Sequence, residues 1–203
     1  MYPKQIHIGK ISTSDIELRD LAKAWIAVSV MFASVIGGSF FAGNFYSNFI
    51  IASLTVGTGF LLHELGHKIV AQRYGCFAEF RSFDSMLILG IIMAMFSPFL
   101  FAAPGAVMIY GRISKSKNGK ISVAGPVVNL ILSVLFLLLI FLGIGGIVKS
   151  IAVYGFVINT WLALFNMIPF WMFDGAKIWR WNKIAYFSVV LVCVGFMYLR
   201  KFI

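Results

Sequence analysis

Acidic side chains are scarce in this chain: seven Asp and Glu stand against 17 Lys and Arg in 203 residues, and charged residues of both signs make up only 12%. A soluble domain carries about twice that charged fraction. Here 61% of residues are apolar and the mean hydropathy is +0.94. An ordinary soluble globule is excluded, and the expected solvent is the bilayer. The two cysteines, Cys76 and Cys193, lie far apart without a CxxC spacing, which excludes a disulfide framework and a cysteine-held metal. The net charge of +10 does not indicate a nucleic-acid partner, because the basic residues sit between apolar segments rather than on a soluble face. They read as loop residues that stay on the cytoplasmic side and touch anionic membrane lipid. Lys4, Lys10, Arg19 and Lys23 precede the first apolar run with no small-residue cleavage pattern, so that run reads as an uncleaved anchor.

Five stretches are long and apolar enough to span: Ala24–Ala42, Phe49–Ala71, Ser122–Leu142, Ser150–Ile168 and Ile184–Leu199. A sixth, Met86–Ala103, is interrupted or bounded by Gly90, Pro98 and Pro104 and is expected to enter the membrane without crossing it. Gly105–Gly119 holds the β-favouring run Ala106–Tyr110 and an Asn118-Gly119 turn signal, which predicts a short hairpin with Lys120–Val123 as return strand. The fold class is therefore an all-α polytopic membrane protein. Its expected form is one domain over residues 1–203, a bundle of five to six helices with a small membrane-associated hairpin and a re-entrant segment.

The second span contains His63-Glu64-Leu65-Gly66-His67. On a helix, residues four apart lie about 40° apart around the axis, so both imidazoles face one point and can bind one zinc, while Glu64 is turned toward a water at the metal. Such a pattern in a chain with three histidines is seldom accidental, and His7 has no ligand spacing. An ionisable group at the centre of a transmembrane helix costs about 2.5 to 3.5 kcal/mol, so Glu64 needs a function to justify it. Catalytic zinc usually takes three protein ligands. Asp15, Glu17, Asp20, Glu79 and Asp84 stand in polar segments and read as solvated surface, which leaves Asp174, in Pro169-Phe170-Trp171-Met172-Phe173-Asp174-Gly175. That residue also reads as a helix N-cap, and the two roles are compatible.

The HELGH run, Gly125-Pro126 followed by Asn129, and Asn166-Met167-Ile168-Pro169 with Asp174-Gly175 resemble the site-2 protease family of intramembrane zinc metalloproteases. Glu17–Leu21 and the stretch from Asp174 to Asn182 are similar to a prokaryotic, archaeal branch, and the likeness runs from about Leu18 to Asn182. It implies one zinc per chain held by His63, His67 and Asp174, Glu64 as general base, and transmembrane protein substrates. Asn129 and Asn166 match family positions that would bind the substrate backbone, or else hydrogen-bond between helices. Met108 and Ile109, in the β-favouring run, would receive an unwound substrate by edge pairing. The chain departs from many members in carrying Phe170–Phe173 where a small proline-rich run stands.

Two other readings compete. A metal transporter needs further polar groups along a path across the membrane, and only Glu64 and Asp174 lie near apolar spans. An inactive zinc scaffold needs ligands but no base, and Glu64 is intact. The charge pattern places the N-terminus and the active-site end in the cytoplasm. Asp174 can then reach the depth of His67 only if Met86–Ala103 crosses an even number of times.

Overall fold

The computed structural model describes residues 5–9, 11–38, 40, 43–97, 104–170 and 172–203. A short antiparallel pair, β1 (Gln5–Ile8) and β2 (Ile11–Ser14), leads into α1 (Asp15–Gly37). Next come α2 (Phe45–Ala52), a π-helical turn (Ser53–Gly57) and α3 (Thr58–Arg73), which together make one 29-residue span. Strand β3 (Phe77–Ser82), α4 (Asp84–Phe96) and β4 (Gly105–Tyr110) precede α5 (Lys115–Phe141), α6 (Gly146–Asn166), α7 (Asp174–Trp181) and α8 (Lys183–Leu199).

Five of these helical stretches are long and apolar enough to cross a membrane. Their packing is that of a protein dissolved in lipid. Small residues fill the helix contacts, with Ala24, Ala33, Ala52, Ala71 and Ala163 fully buried, while large apolar side chains such as Leu138, Phe141, Phe187 and Leu191 face outward. With hydrocarbon outside, helices gain by close backbone approach rather than by hiding leucine. Central α5 packs on α3, α6 and α7, and α6 packs in turn on α8. A cluster of Ala163, Met167, Ile178, Val189 and Cys193 joins α6, α7 and α8.

The π-helical turn has its own partners. The Ser53 carbonyl accepts from Thr58 Oγ1 at 2.9 Å and from the Trp25 indole at 3.1 Å, which fastens the turn to α1. Ser14 caps α1 by accepting from Glu17 N at 3.2 Å. The first helix therefore begins at Asp15, well before the expected Ala24, and the charged residues between are helical.

The expected hairpin is corrected. Strand β4 forms where the β-favouring run lies, but its partner is β3, in register Phe80↔Val107 and Ser82↔Gly105, with α4 inserted between the strands. Lys120–Val123 is helix instead of return strand. Ser114 caps α5 by accepting from Lys117 N at 3.3 Å, Asn118 N bonds the Ser114 carbonyl, and Gly119 packs against the Trp181 side chain. A turn signal is local, whereas strand pairing is decided by what the strand can reach.

The assignment of the acids to solvated surface is also corrected. Glu17, Asp20 and Glu79 are buried. Glu17 pairs with Lys68, Asp20 with Lys23, and Glu79 with Arg81 and the Gln5 amide. Asp84 stays exposed, and the Lys23 ammonium beside it at 2.8 Å holds its carboxyl below the usual carboxylate range.

Helix α4 has 13 residues, about 20 Å of rise, too short for a hydrocarbon core of about 30 Å. The rest of the expected re-entrant stretch, 98–103, lies outside the described residues, as do 39, 41 and 42 of the first expected span. Because β3 pairs with β4, the chain leaves and returns at one place. The same end of the bundle holds the start of α1, where Glu17 accepts from Phe80 N. It also holds the end of α3, where Tyr74 lies under Lys117, and the α7–α8 junction, where Trp181 meets Gly119. Lys149, Arg200 and Lys201 belong to the opposite end. With both native cysteines replaced, a cysteine at Lys117 or Lys183 should react with an impermeant maleimide from one face of the membrane, and one at Lys149 or Lys201 from the other. Labelling of positions 117 and 183 from opposite faces would refute this arrangement.

Candidate metal centre

The helical spacing of His63 and His67 puts both rings on the face of α3 that packs against α5. Their Nε2 atoms lie 3.0 Å apart, and Asp174 Oδ2 stands 3.3 Å from the first and 3.0 Å from the second. All three residues are buried, at 4%, 8% and 7% exposure. Among the described residues they form the one group of three or more His, Cys, Asp or Glu side chains able to share an ion. Asp174 is the first residue of α7, behind Phe173 as N-cap, so its carboxylate is free of the capping role the sequence allowed. Its neighbour must be glycine: a Cβ at Gly175 would run into the Met167 carbonyl and lie 2.7 Å from the Ile168 carbonyl. The α6–α7 connection thus folds tightly enough to bring the carboxylate under the two rings. Lys177 Nζ lies 3.5 Å from the other oxygen, Oδ1.

The far side of each ring determines what the near side can do. His67 Nδ1 is 2.8 Å from the Ile121 carbonyl and His63 Nδ1 is 2.5 Å from Asn129 Oδ1. The Asn129 amide nitrogen donates to the Gly59 carbonyl at 3.2 Å and to Asn159 Oδ1 at 3.0 Å, so its oxygen is the atom left for the imidazole. Asn159 is held in turn by donating to the Gly155 carbonyl at 2.9 Å. Both Nδ1 atoms therefore carry the proton, and both Nε2 lone pairs point at each other and at a carboxylate oxygen. Three acceptors this close call for a cation among them. A tetrahedral zinc with bonds of about 2.0–2.1 Å sets its ligands about 3.3 Å apart, so this donor set fits the metal.

Helix α5 is shaped to allow this approach. A Cβ at Gly125 would lie 2.5 Å from Nε2 of both histidines, so only glycine leaves room beside the donors. Pro126, inside α5, has no N–H to give the Ser122 carbonyl and loosens the ladder there, one residue from the Ile121 carbonyl that serves His67. Half-buried Glu64 projects toward the sheet, where its Oε2 accepts from Val107 N at 3.1 Å.

A protein of Methanocaldococcus jannaschii named "Putative zinc metalloprotease MJ0611" is 42% identical over 156 residues, which cover 76% of this chain and 82% of that protein. The chain belongs to this family of zinc metalloproteases. "Zinc metalloprotease MJ0392" of the same organism is 29% identical over 125 residues, 59% of this chain and 30% of that protein. No protein-family model and no solved structure matches the chain.

Around this metalloprotease's centre the remaining candidates separate. Asn129 is drawn in as a partner of His63. Asn166 ends α6 with its amide nitrogen on the Leu162 carbonyl of its own helix, 2.9 Å away. Met108 and Ile109 lie in β4, opposite Glu79 and Ala78. Since Val107 N–H points to Glu64, away from β3, the alternation of an antiparallel ladder turns Ile109 N–H the same way and Met108 N–H into the sheet. Sequence reasoning missed Asn159, although a fully buried asparagine in an apolar span is itself a sign of an interhelical bond. Asn129→Leu should lower zinc affinity about 10- to 100-fold by releasing the His63 ring, and Gly125→Ala should lower it further by crowding both donors. Competition with a calibrated chelator measures both, and wild-type affinity in either variant would contradict the geometry.

Proposed function

We propose that this metalloprotease is an intramembrane protease of the site-2 type, which cuts transmembrane protein substrates. The observation that carries the reading is the site's position: a buried His-His-Asp centre lies inside a bundle of span-capable helices, with the edge of β4 bonded to the acid of the HELGH motif. In this reading His63, His67 and Asp174 hold one zinc, and Glu64 is the general base. Zinc bound there would polarise the scissile carbonyl and lower the pKa of water at the site toward about 7.

The chain's own groups supply the rest. Glu64 takes the proton from the attacking water and returns it to the leaving amine. A substrate helix hides its carbonyls in i to i+4 bonds and must unwind before attack. The outward N–H groups of Val107 and Ile109 offer the unwound strand replacement partners beside the base. A substrate carbonyl on Val107 N–H displaces Glu64 Oε2 and so frees the carboxylate for water. The concentration of Lys and Arg at the site's end of the bundle supports a cytoplasmic N-terminus and active site.

Glu64→Gln should abolish cleavage of a reconstituted transmembrane peptide, with a residual rate about 10²- to 10⁴-fold down, and keep zinc near one per chain. His67→Ala and Asp174→Ala should lose zinc and activity together. Metal analysis of the folded variants beside mass-spectrometric mapping of the cut gives the decision. Full proteolysis by Glu64→Gln would sink the mechanism, and unchanged zinc in Asp174→Ala would remove that ligand.

Ile109→Pro removes an outward donor without touching the ladder to β3, so it should impair cleavage at unchanged zinc content. Met108→Pro breaks the sheet itself and is the less selective variant. Wild-type turnover by Ile109→Pro would exclude edge pairing at that residue.

A further inference from the structure

Glu17 carries the charge that the mechanism leaves unused. It is fully buried, as is Lys68, and their charged atoms meet at 2.5 Å. Glu17 Oε2 also accepts from Thr13 Oγ1 at 2.7 Å, and Oε1 accepts from Phe80 N at 2.9 Å. Ser14-x-x-Glu17 has the spacing of a capping box, in which the glutamate would reach back to the N-cap amide. Ser14 performs its half, but the glutamate's oxygens are engaged with Lys68 and Phe80. The carboxylate is thus spent on joining α1, α3 and β3.

Its place relative to the site gives that junction a consequence. Phe80 and Val107 are cross-strand partners. The N–H of Phe80 leaves one edge of the sheet for Glu17, and the N–H of Val107 leaves the other for Glu64. One pair of facing residues is therefore held at both edges by carboxylates. Both holds return to α3, because Lys68, four residues after Glu64, grips Glu17. Helix α3, which also carries His63 and His67, grips the two-stranded sheet from both sides.

We infer that Glu17 is a positioning residue for the protease reaction, which fixes the free edge of β4 relative to Glu64 and the metal-binding side chains and thereby selects the bond that is cut. The inference rests on the reading of β4 as the substrate's seat. Glu17 touches neither substrate nor metal. Its hydrogen bond to Phe80 N keeps the sheet from sliding along α3, and a slide of one residue would turn the other face of the bound strand toward the site.

Removing Glu17 or Lys68 alone leaves a buried unpaired charge and threatens folding. Two double variants avoid this. Glu17→Gln with Lys68→Met keeps an oxygen for Phe80 N, and Glu17→Leu with Lys68→Met keeps only the volume. In the full chain, the Leu/Met pair should raise KM for a transmembrane peptide about tenfold and add cuts at neighbouring bonds, at unchanged zinc content. The Gln/Met pair should keep the wild-type KM and cut site. Hydrogen exchange of the peptides spanning Phe77–Ser82 and Gly105–Tyr110 should quicken only in the Leu/Met pair. Equal exchange in the two variants, or equal loss of zinc and folding, overturns the inference. A wild-type protein that cuts no membrane peptide counts against the protease reading alone, because the exchange comparison still decides the role of Glu17.

Discussion

Two imidazoles and a carboxylate facing one another inside a helix bundle repel unless a cation lies among them, and the rest of the structure is arranged so that they cannot turn away. Free rings would rotate and carry their lone pairs elsewhere. Here each ring is fixed from behind, one by the Ile121 carbonyl and one by Asn129. Both acceptors belong to α5, which explains why α5 must approach α3 closely enough to need Gly125. The demand spreads outward: Asn129 is oriented by Gly59 and Asn159, and Asn159 by Gly155. Three spans, α3, α5 and α6, are locked in register by the requirement that one Nδ1 have one acceptor.

The same economy of polar groups governs the two-stranded sheet. A sheet-edge backbone N–H that is taken out of water at such a bundle needs a partner from the protein. Two glutamates provide it at the Phe80–Val107 pair. One is shut away behind a lysine, and the other is half-buried beside the donor set. The asymmetry is in access: the edge at Phe80 is closed by a buried ion pair, and the edge at Val107 meets a carboxylate that is only half-buried.

Much of this was legible in the sequence because the bilayer makes chemistry conspicuous. His63, Glu64, His67 and Asp174 stood out as polar residues in apolar surroundings, and the helical spacing of the histidines alone predicted that their rings would converge. The five spans were readable from hydropathy, within several residues at most ends. What escaped depended on contacts distant in sequence. The partner of β4 lies 23 or more residues upstream, and no local turn signal could name it. Glu17 and Glu79 looked like surface acids because their segments are charged, yet both are buried against distant partners, Glu17 against Lys68 across 51 positions and Glu79 against Gln5 across 74. Asn159 was passed over because one asparagine in an apolar run is ambiguous until its neighbour across the interface is known.

The π-helical turn at Ser53–Gly57 sets the azimuth of the helix that carries His63 and His67. A π turn holds one residue more than the α-helical path it replaces, so it changes the rotational phase between the helix before it and the helix after it by about 100°. Before the turn, α2 faces α1 and α6; beyond it, α3 faces α5 and the sheet. The span behaves as two helices joined by a fixed angular offset. Its upstream half can therefore be shaped to fit the bundle wall while its downstream half turns the two imidazoles toward α5. An apolar stripe drawn through the whole stretch at a single period would lose its phase at this point, and loss of one residue there would swing His63 and His67 off the face that meets α5.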